Sequence, residues 1–389
     1  MSNHHFCFLT VEFLLTDTVS RCAGASRPGL PDAKAHIHAA ARPASRHPDL
    51  PNSSFSTAFE QNSWLVTARR RRHTGLPSLH DRSATAMNLA YPAFAVLGVI
   101  WGTNFLMMKW ASLLITPLQI VFLRVLFGFV AILVFALLRR DLHWRQARQI
   151  HHFFVMSLLA TSVYYFAFAK GASLLASGVA GMLSGAIPLF SFVCAALFLD
   201  SERPRPRKIA GVALGFAGVL LIARPWNGAA NGVNPFGVLF MLAGSASVGA
   251  SFVYARRFLS AHAFSPFALA TWQMGLALVT LAAVTDFHGI ARIATDRATF
   301  AGMVFGLGLA GTGIAFVLYY FIVHRLGAVA ASSVTYLPPV VALAIGCVFA
   351  GEPLHSWDLG ALALILCGVY LLQAPRGKPN PRDSRARAV

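Results

Sequence analysis

Between residues 92 and 373 the chain is a nearly unbroken series of apolar stretches separated by short polar turns. A hydrocarbon core about 30 Å thick needs about 20 apolar residues per helix, with a usual range of about 17–25. Ten segments fit that requirement: 92–110, 117–138, 152–169, 174–199, 208–223, 235–255, 264–284, 299–323, 327–350 and 357–373. Composition agrees, because 56% of residues are hydrophobic and 12% charged, against about 25% charged in soluble domains. The chain therefore reads as an all-α polytopic membrane protein with ten transmembrane helices.

The net charge of +18 would suit a nucleic-acid binder if it lay on one folded surface. It is instead distributed by sidedness. Basic residues near span ends stay in the cytoplasm. With a cytoplasmic start, the inner loops and tail hold Arg139, Arg140, Arg145, Arg148, Arg203, Arg205, Arg207, Lys208, Arg256, Arg257, Arg325, Arg376, Lys378, Arg382, Arg385 and Arg387. The outer loops hold only Lys170, Arg224, Arg292 and Arg297, a split of 16 to 4. Both termini are thus expected in the cytoplasm, the expected partners are the lipid bilayer and a small-molecule substrate, and nucleic acid is excluded.

Residues 1–86 differ in kind: Pro, Ser, His and Arg are scattered without period, and Arg69 to Arg72 form a basic run. This segment is expected to be disordered. Met87 stands just before the first span, so two readings stay open: upstream sequence translated from a mis-assigned start, or a genuine tail. An amino-terminal peptide from purified protein decides between them. The five cysteines form no C-x-x-C pair, so a disulfide scaffold or zinc ribbon is not indicated.

The second half of the span region repeats the first at an offset of about 150 residues. Thr116-Pro117 before Arg124 parallels Ser265-Pro266 before Gln273. Residues 177–181 parallel 327–331, Pro188 parallels Pro338, Glu202 parallels Glu352, and 217–221 parallel 367–371. Each copy holds five spans, an odd number, so the second enters the bilayer in the opposite sense. Two inverted five-helix repeats, 90–223 and 233–373, followed by a basic tail at 374–389, are the expected organisation. Inverted repeats suit alternating access, because two pseudo-symmetric halves can exchange conformations around a midplane site.

Within this frame the motifs are W-G-T-N-F at Trp101 to Phe105, T-P-x₆-R entering span two, P-L-F in span four followed by Asp200 to Arg203, and G-E-P at Gly351 to Pro353. Together they resemble the EamA-type branch of the drug/metabolite transporter superfamily across both repeats. The resemblance implies a bacterial inner-membrane transporter, often an exporter of amino acids or other small metabolites, with a central cavity between the halves. It leaves the substrate open, and the oligomeric state open between monomer and homodimer.

Charges inside spans cost about 2.5–3.5 kcal/mol on insertion scales and so mark functional positions. Arg124 lies two turns into span two and is read either as a carboxylate-binding group or as a donor to carbonyls of a broken helix. Its repeat mate is Gln273. The other cavity candidates are Trp101 and Asn104 in span one, Tyr165 in span three, Ser247, Ser251 and Tyr254 along span six, and Tyr336 in span nine. Pro188, Pro338 and Pro339 should kink spans four and nine and are the candidate hinges. Lys109 is expected to reach the interface and His324 to lie in solvent at a span end. Glu202 and Glu352 are read as capping or loop-locking groups. After Met87 every Asp and Glu lies in a loop or at a span end, which disfavours carboxylate-based proton coupling and leaves hydrophobic-cation efflux as the lesser alternative to amino-acid export. No cofactor or metal is expected, and a membrane enzyme or sensor finds no clustered acids or H-x-x-x-H spacing to support it.

Overall fold

The computed structural model describes residues 79–199, 205–226, 233–260, 262 and 264–373. Most of the segment 1–86, the tail 374–389, and Asp200, Glu202 and Arg203 lie outside the described residues. Among the described residues, ten helices are long and apolar enough to cross a membrane: α1 (Leu89–Ala111), α2 (Pro117–Leu138), α3 (Trp144–Leu174), α4 (Ser177–Phe198), α5 (Pro206–Ala223), α6 (Pro235–Leu259), α7 (Pro266–Val284), α8 (Arg297–Gly327), α9 (Ser333–Ala350) and α10 (Ser356–Gln373). Among the described residues there is no strand. That is the expected outcome in lipid, where every backbone polar group must find its partner inside the segment. The chain folds as two inverted five-helix repeats, α1–α5 and α6–α10.

Helix starts follow local chemistry. Thr116 caps α2 in a reciprocal capping box with Gln119, and Pro117 fills the first turn, where its missing N–H costs nothing. The repeat mate uses the same device, with Ser265 capping α7 ahead of Pro266. Asn234 caps α6 ahead of Pro235. At the start of α8 the Asp296 carboxylate accepts the Thr299 hydroxyl and the Ala298 N–H, which together hold its pKa below the usual carboxylate range. The helix carrying α1 begins upstream at Leu79, inside the stretch expected to lack structure. Residues 79–91 contain neither Pro nor Gly, so nothing in them stops helix propagation outward from the span. Span three likewise begins earlier than expected, with a 3₁₀ turn at Trp144–Gln149 leading into helix from Ile150.

Spans four and nine are broken, where a kink was expected. α4 consists of Ser177–Ser184 and Ile187–Phe198 on either side of Gly185-Ala186. In α9 a 3₁₀ turn, Ser333–Tyr336, precedes helix Leu337–Ala350. Pro188 and Pro338-Pro339 fall in the first turn of the second piece in each case. A proline there removes no helical hydrogen bond, so the break is the lower-energy solution. Gly327, at φ 79°, turns the chain from α8 into α9, in the left-handed region that glycine tolerates.

Small residues bring the helices together, as expected where lipid removes the hydrophobic drive. α5 and α10 cross at Gly211, Gly215 and Gly368, where a Cβ on Gly368 would stand 2.6 Å from both Gly211 O and Gly215 N. Backbone cannot yield as a side chain can. Gly368→Leu is therefore expected to destabilise the fold by about 3 kcal/mol and to lower the thermal midpoint in detergent. Gly360→Ala on the same helix, whose Cβ meets only Leu221 at 3.7 Å, should leave that midpoint unchanged. The same helix pair is tied by a part-buried ion pair between Arg224, at the end of α5, and Asp358 of α10, 2.9 Å apart.

Candidate substrate cavity

The loops after the even-numbered spans carry most of the basic residues and define a basic face; the opposite face is called distal. A cavity of about 270 Å³ lies between the two repeats and is bordered by α1, α2, α3, α4, α6, α7, α8 and α9. It is skewed toward the basic face, reaching Pro266, the first residue of α7. Its walls are mostly apolar and aromatic.

Arg124 is the charged residue on this wall. It is 6% exposed, its Nε donates to Thr312 Oγ1 at 3.2 Å, and its guanidinium carbon sits 3.9 Å from the Tyr165 ring centroid. Among the described residues no carboxylate pairs with it. A ring face and one hydroxyl compensate a desolvated guanidinium only in part, since the desolvation penalty is several kcal/mol. Gln273 repeats the arrangement at lower polarity: its Nε2 donates to Thr161 Oγ1 at 2.7 Å.

The two threonines are set by matching backbone irregularities. Thr161 lies in a π-helical turn of α3, Leu158–Ser162, and Thr312 in a longer π-helical stretch of α8, Gly302–Ile314. π-turns widen a helix and are frequent at functional sites. Thr161 and Thr312 stand 151 apart in sequence and, buried behind the wall, receive Gln273 and Arg124 with the same chemistry. Asn104, 5% exposed, lines the cavity, and its Oδ1 is buried without a hydrogen-bond partner against Gly311. Trp101 borders the cavity and packs on Tyr319, with ring centroids 6.0 Å apart.

Of the nine residues singled out in the sequence, Trp101, Asn104, Arg124, Tyr165, Ser251 and Gln273 line this cavity, and three lie off it. Ser251 spends its hydroxyl on Val248 O of its own helix. Ser247 faces α3, donating to Leu159 O, a carbonyl within the π-turn. Tyr254 points to the basic face, where its hydroxyl pairs with His152 Nδ1 at 2.8 Å. Tyr336 donates to Gln373 Oε1 and so ties α9 to the end of α10. Ser184, Pro188, Thr335 and Pro338 border the cavity, so both helix breaks open onto it, whereas Pro339 is buried behind. Lys109 bonds Ser173 O near the end of α3, a cation at a helix carboxyl end, and His324 is exposed. Phe168, which shares a face of span three with Tyr165, also lines the cavity, whereas the sequence did not single out Tyr164, Phe316, Tyr319 or Tyr320 on the wall, nor the two threonines. The threonine pair was recoverable from its repeat spacing; the aromatics were not, among 31 phenylalanines and 8 tyrosines.

The profile of the EamA-like transporter family matches twice, over residues 88–224 and 235–373, once for each five-helix unit. The chain belongs to the EamA-like transporter family. An uncharacterized transporter of Archaeoglobus fulgidus is 24% identical, covering 72% of this chain and 98% of its own length. The uncharacterized inner membrane transporter YedA of Escherichia coli is 26% identical over 72% of this chain and 90% of its own. A probable terminal-alkyne amino-acid exporter of Streptantibioticus cattleyicolor is 31% identical, over 50% of this chain and 64% of its own. The family and these names point to a multi-pass membrane transporter and away from an enzyme.

Proposed function

We propose that the chain is an alternating-access exporter of a small amphipathic metabolite bearing a carboxylate, an amino acid with an apolar side chain being the best fit. The observation that carries this reading is Arg124: a buried guanidinium without an acidic partner among the described residues, on the wall of an aromatic cavity between two inverted repeats. Its planar fork suits a carboxylate. Asn104, with an unpartnered amide oxygen on the same wall, offers an acceptor for an ammonium group, and the aromatic rings offer a seat for an apolar side chain. The relative from Streptantibioticus cattleyicolor, named as an amino-acid exporter, lends support. The basic face is assigned to the cytoplasm by the distribution of Lys and Arg, in a bacterial inner membrane.

Hydrophobic-cation efflux is the weaker reading, because among the described residues no Asp or Glu lines the cavity to receive a cation and Arg124 repels one. The test is flux from proteoliposomes loaded with matched compounds of one carbon skeleton: the amino acid, its deaminated acid, its decarboxylated amine, and a quaternary ammonium ion. Each is run with and without a pH gradient. The amino acid should leave at least about tenfold faster than the amine, the ratio that about 1.4 kcal/mol of carboxylate recognition gives. Transport of the amine or quaternary ion with no movement of the amino acid would overturn the assignment.

A further inference from the structure

The carboxyl end of α9 makes a contact that its own helix does not need. Gly351, at φ 63°, closes α9 in the left-handed region, and the Glu352 N–H bonds back to Gly346 O at 3.1 Å. Pro353 prevents any return to helix. The Glu352 side chain is thereby aimed at the other repeat. Its Oε1 accepts the Ser177 N–H at 2.5 Å and its Oε2 the Gly178 N–H at 2.8 Å. Those are the first two amides of α4.

A helix start leaves amides unpaired, and normally its own N-cap side chain serves one of them. α2, α6 and α7 carry Thr116, Asn234 and Ser265 for this purpose. The N-cap of α4 is Ala176, which has no side-chain acceptor. α4 therefore borrows its cap from the opposite repeat, and the acceptor is an anion at the positive end of the helix, where charge-assisted bonds are strongest. The fit is tight: Gly178 packs on Leu343, and Gly346 has room for no Cβ between Glu352 and Ser177. Among the described residues no lysine, arginine or histidine pairs with Glu352, and the nearby rim charges are engaged elsewhere, Lys109 with Ser173 O and Arg224 and His355 with Asp358.

This contact joins the two broken helices at the distal face only. The distal halves of α4 and α9 are in van der Waals contact through Gly178, Gly181, Ala342 and Leu343, while toward the basic face Pro188 and Pro338 border the cavity. We propose that Glu352 is the distal latch of the transport cycle. Its carboxylate holds the repeats closed on the distal side by capping α4, and opening to that side requires the two charge-assisted bonds to break. The inference rests on the alternating-access reading, and it gives Glu352 a positioning role that acts through α4, away from the substrate.

The test reads sidedness and needs no substrate, so it fails or succeeds independently of the flux panel. In full-length protein with Cys7, Cys22, Cys194, Cys347 and Cys367 replaced by serine, Ser184→Cys reports on the cavity. A membrane-impermeant maleimide is applied from the basic or the distal face, using vesicles of opposite orientation. With Glu352 intact the reporter should label from the basic face. Glu352→Gln should raise distal labelling about tenfold and lower basic-face labelling by the population that leaves that state, opposite changes that a shifted two-state equilibrium requires. A second variant, Ala176→Asp with Glu352→Gln, gives α4 its own cap and so protects the fold, yet leaves the repeats unlinked. Its labelling should stay shifted to the distal face. Unchanged sidedness in Glu352→Gln, labelling that rises from both faces together, or a return to basic-face labelling in the double variant would each overturn the latch and leave a purely structural cap.

Discussion

Arg124→Gln is expected to slow efflux of the carboxylate-bearing substrate by about 100-fold while leaving the protein folded. The magnitude follows from removing one partner of a desolvated charge pair, which costs about 3–5 kcal/mol when the other partner has no substitute, reduced here because glutamine still donates a hydrogen bond. The expectation that the fold survives has an internal precedent. Gln273 occupies the equivalent position of the second repeat and holds Thr161 at 2.7 Å, so a glutamine at 124 has a rotamer that reaches Thr312. Arg124→Lys should fall between, losing about tenfold, because an ammonium keeps the charge but neither the fork nor the stacking on Tyr165. The decisive measurement is the ratio of amino acid to its carboxamide in proteoliposome efflux. That ratio should collapse in Arg124→Gln through loss of the acid alone. An unchanged ratio would remove Arg124 from substrate recognition and return it to the role of a donor bracing the π-helical stretch of α8.

Sequence and structure divide the explanatory work along physical lines. The number of spans, their inversion and the position of the breaks were legible because each follows from a rule local in sequence: hydropathy over about 20 residues, an odd span count, proline without an N–H. Arg124 was legible because a charge in lipid is costly wherever it points. Ser247, Tyr254 and Tyr336 mark the limit of that reasoning. A polar residue in a span has two outlets, the cavity or a neighbouring carbonyl, and composition is the same for both. Ser247 went to Leu159 O because the π-turn of α3 leaves that carbonyl in reach, and no local pattern announces a π-turn. The kink expected at Pro188 became a break at Gly185, which packs against Ile365 and Pro339 from the other repeat, a long-range contact that no local pattern announces. Glu352 was legible as a capping group, but the helix it caps lies 175 residues away and in the opposite repeat. Long-range contacts of this sort are where one sequence stops being informative about mechanism.

Gly181→Ala is expected to destabilise the distal contact between α4 and α9, and Ala342→Gly to reverse it. Gly181 on α4 faces Ala342 on α9 so closely that a Cβ at 181 would overlap the Ala342 methyl, with the Phe105 ring at 3.4 Å closing the alternative direction. Neither helix can retreat, because Glu352 fixes the same pair of helices nearby through Ser177 and Gly178. Overpacking of this kind costs about 1–3 kcal/mol. The cost falls on the conformer in which the distal halves of α4 and α9 touch, so it should appear as a lower thermal midpoint of the purified protein and as faster distal labelling at Ser184→Cys. Gly181→Ala with Ala342→Gly moves the methyl from one side of the contact to the other and conserves volume. The pair should recover most of the midpoint and of the sidedness, a non-additivity of about 1 kcal/mol or more between touching residues. If the double variant is as impaired as the sum of its singles, the two positions do not meet in the membrane, and the close approach of the distal halves on which the latch depends does not exist.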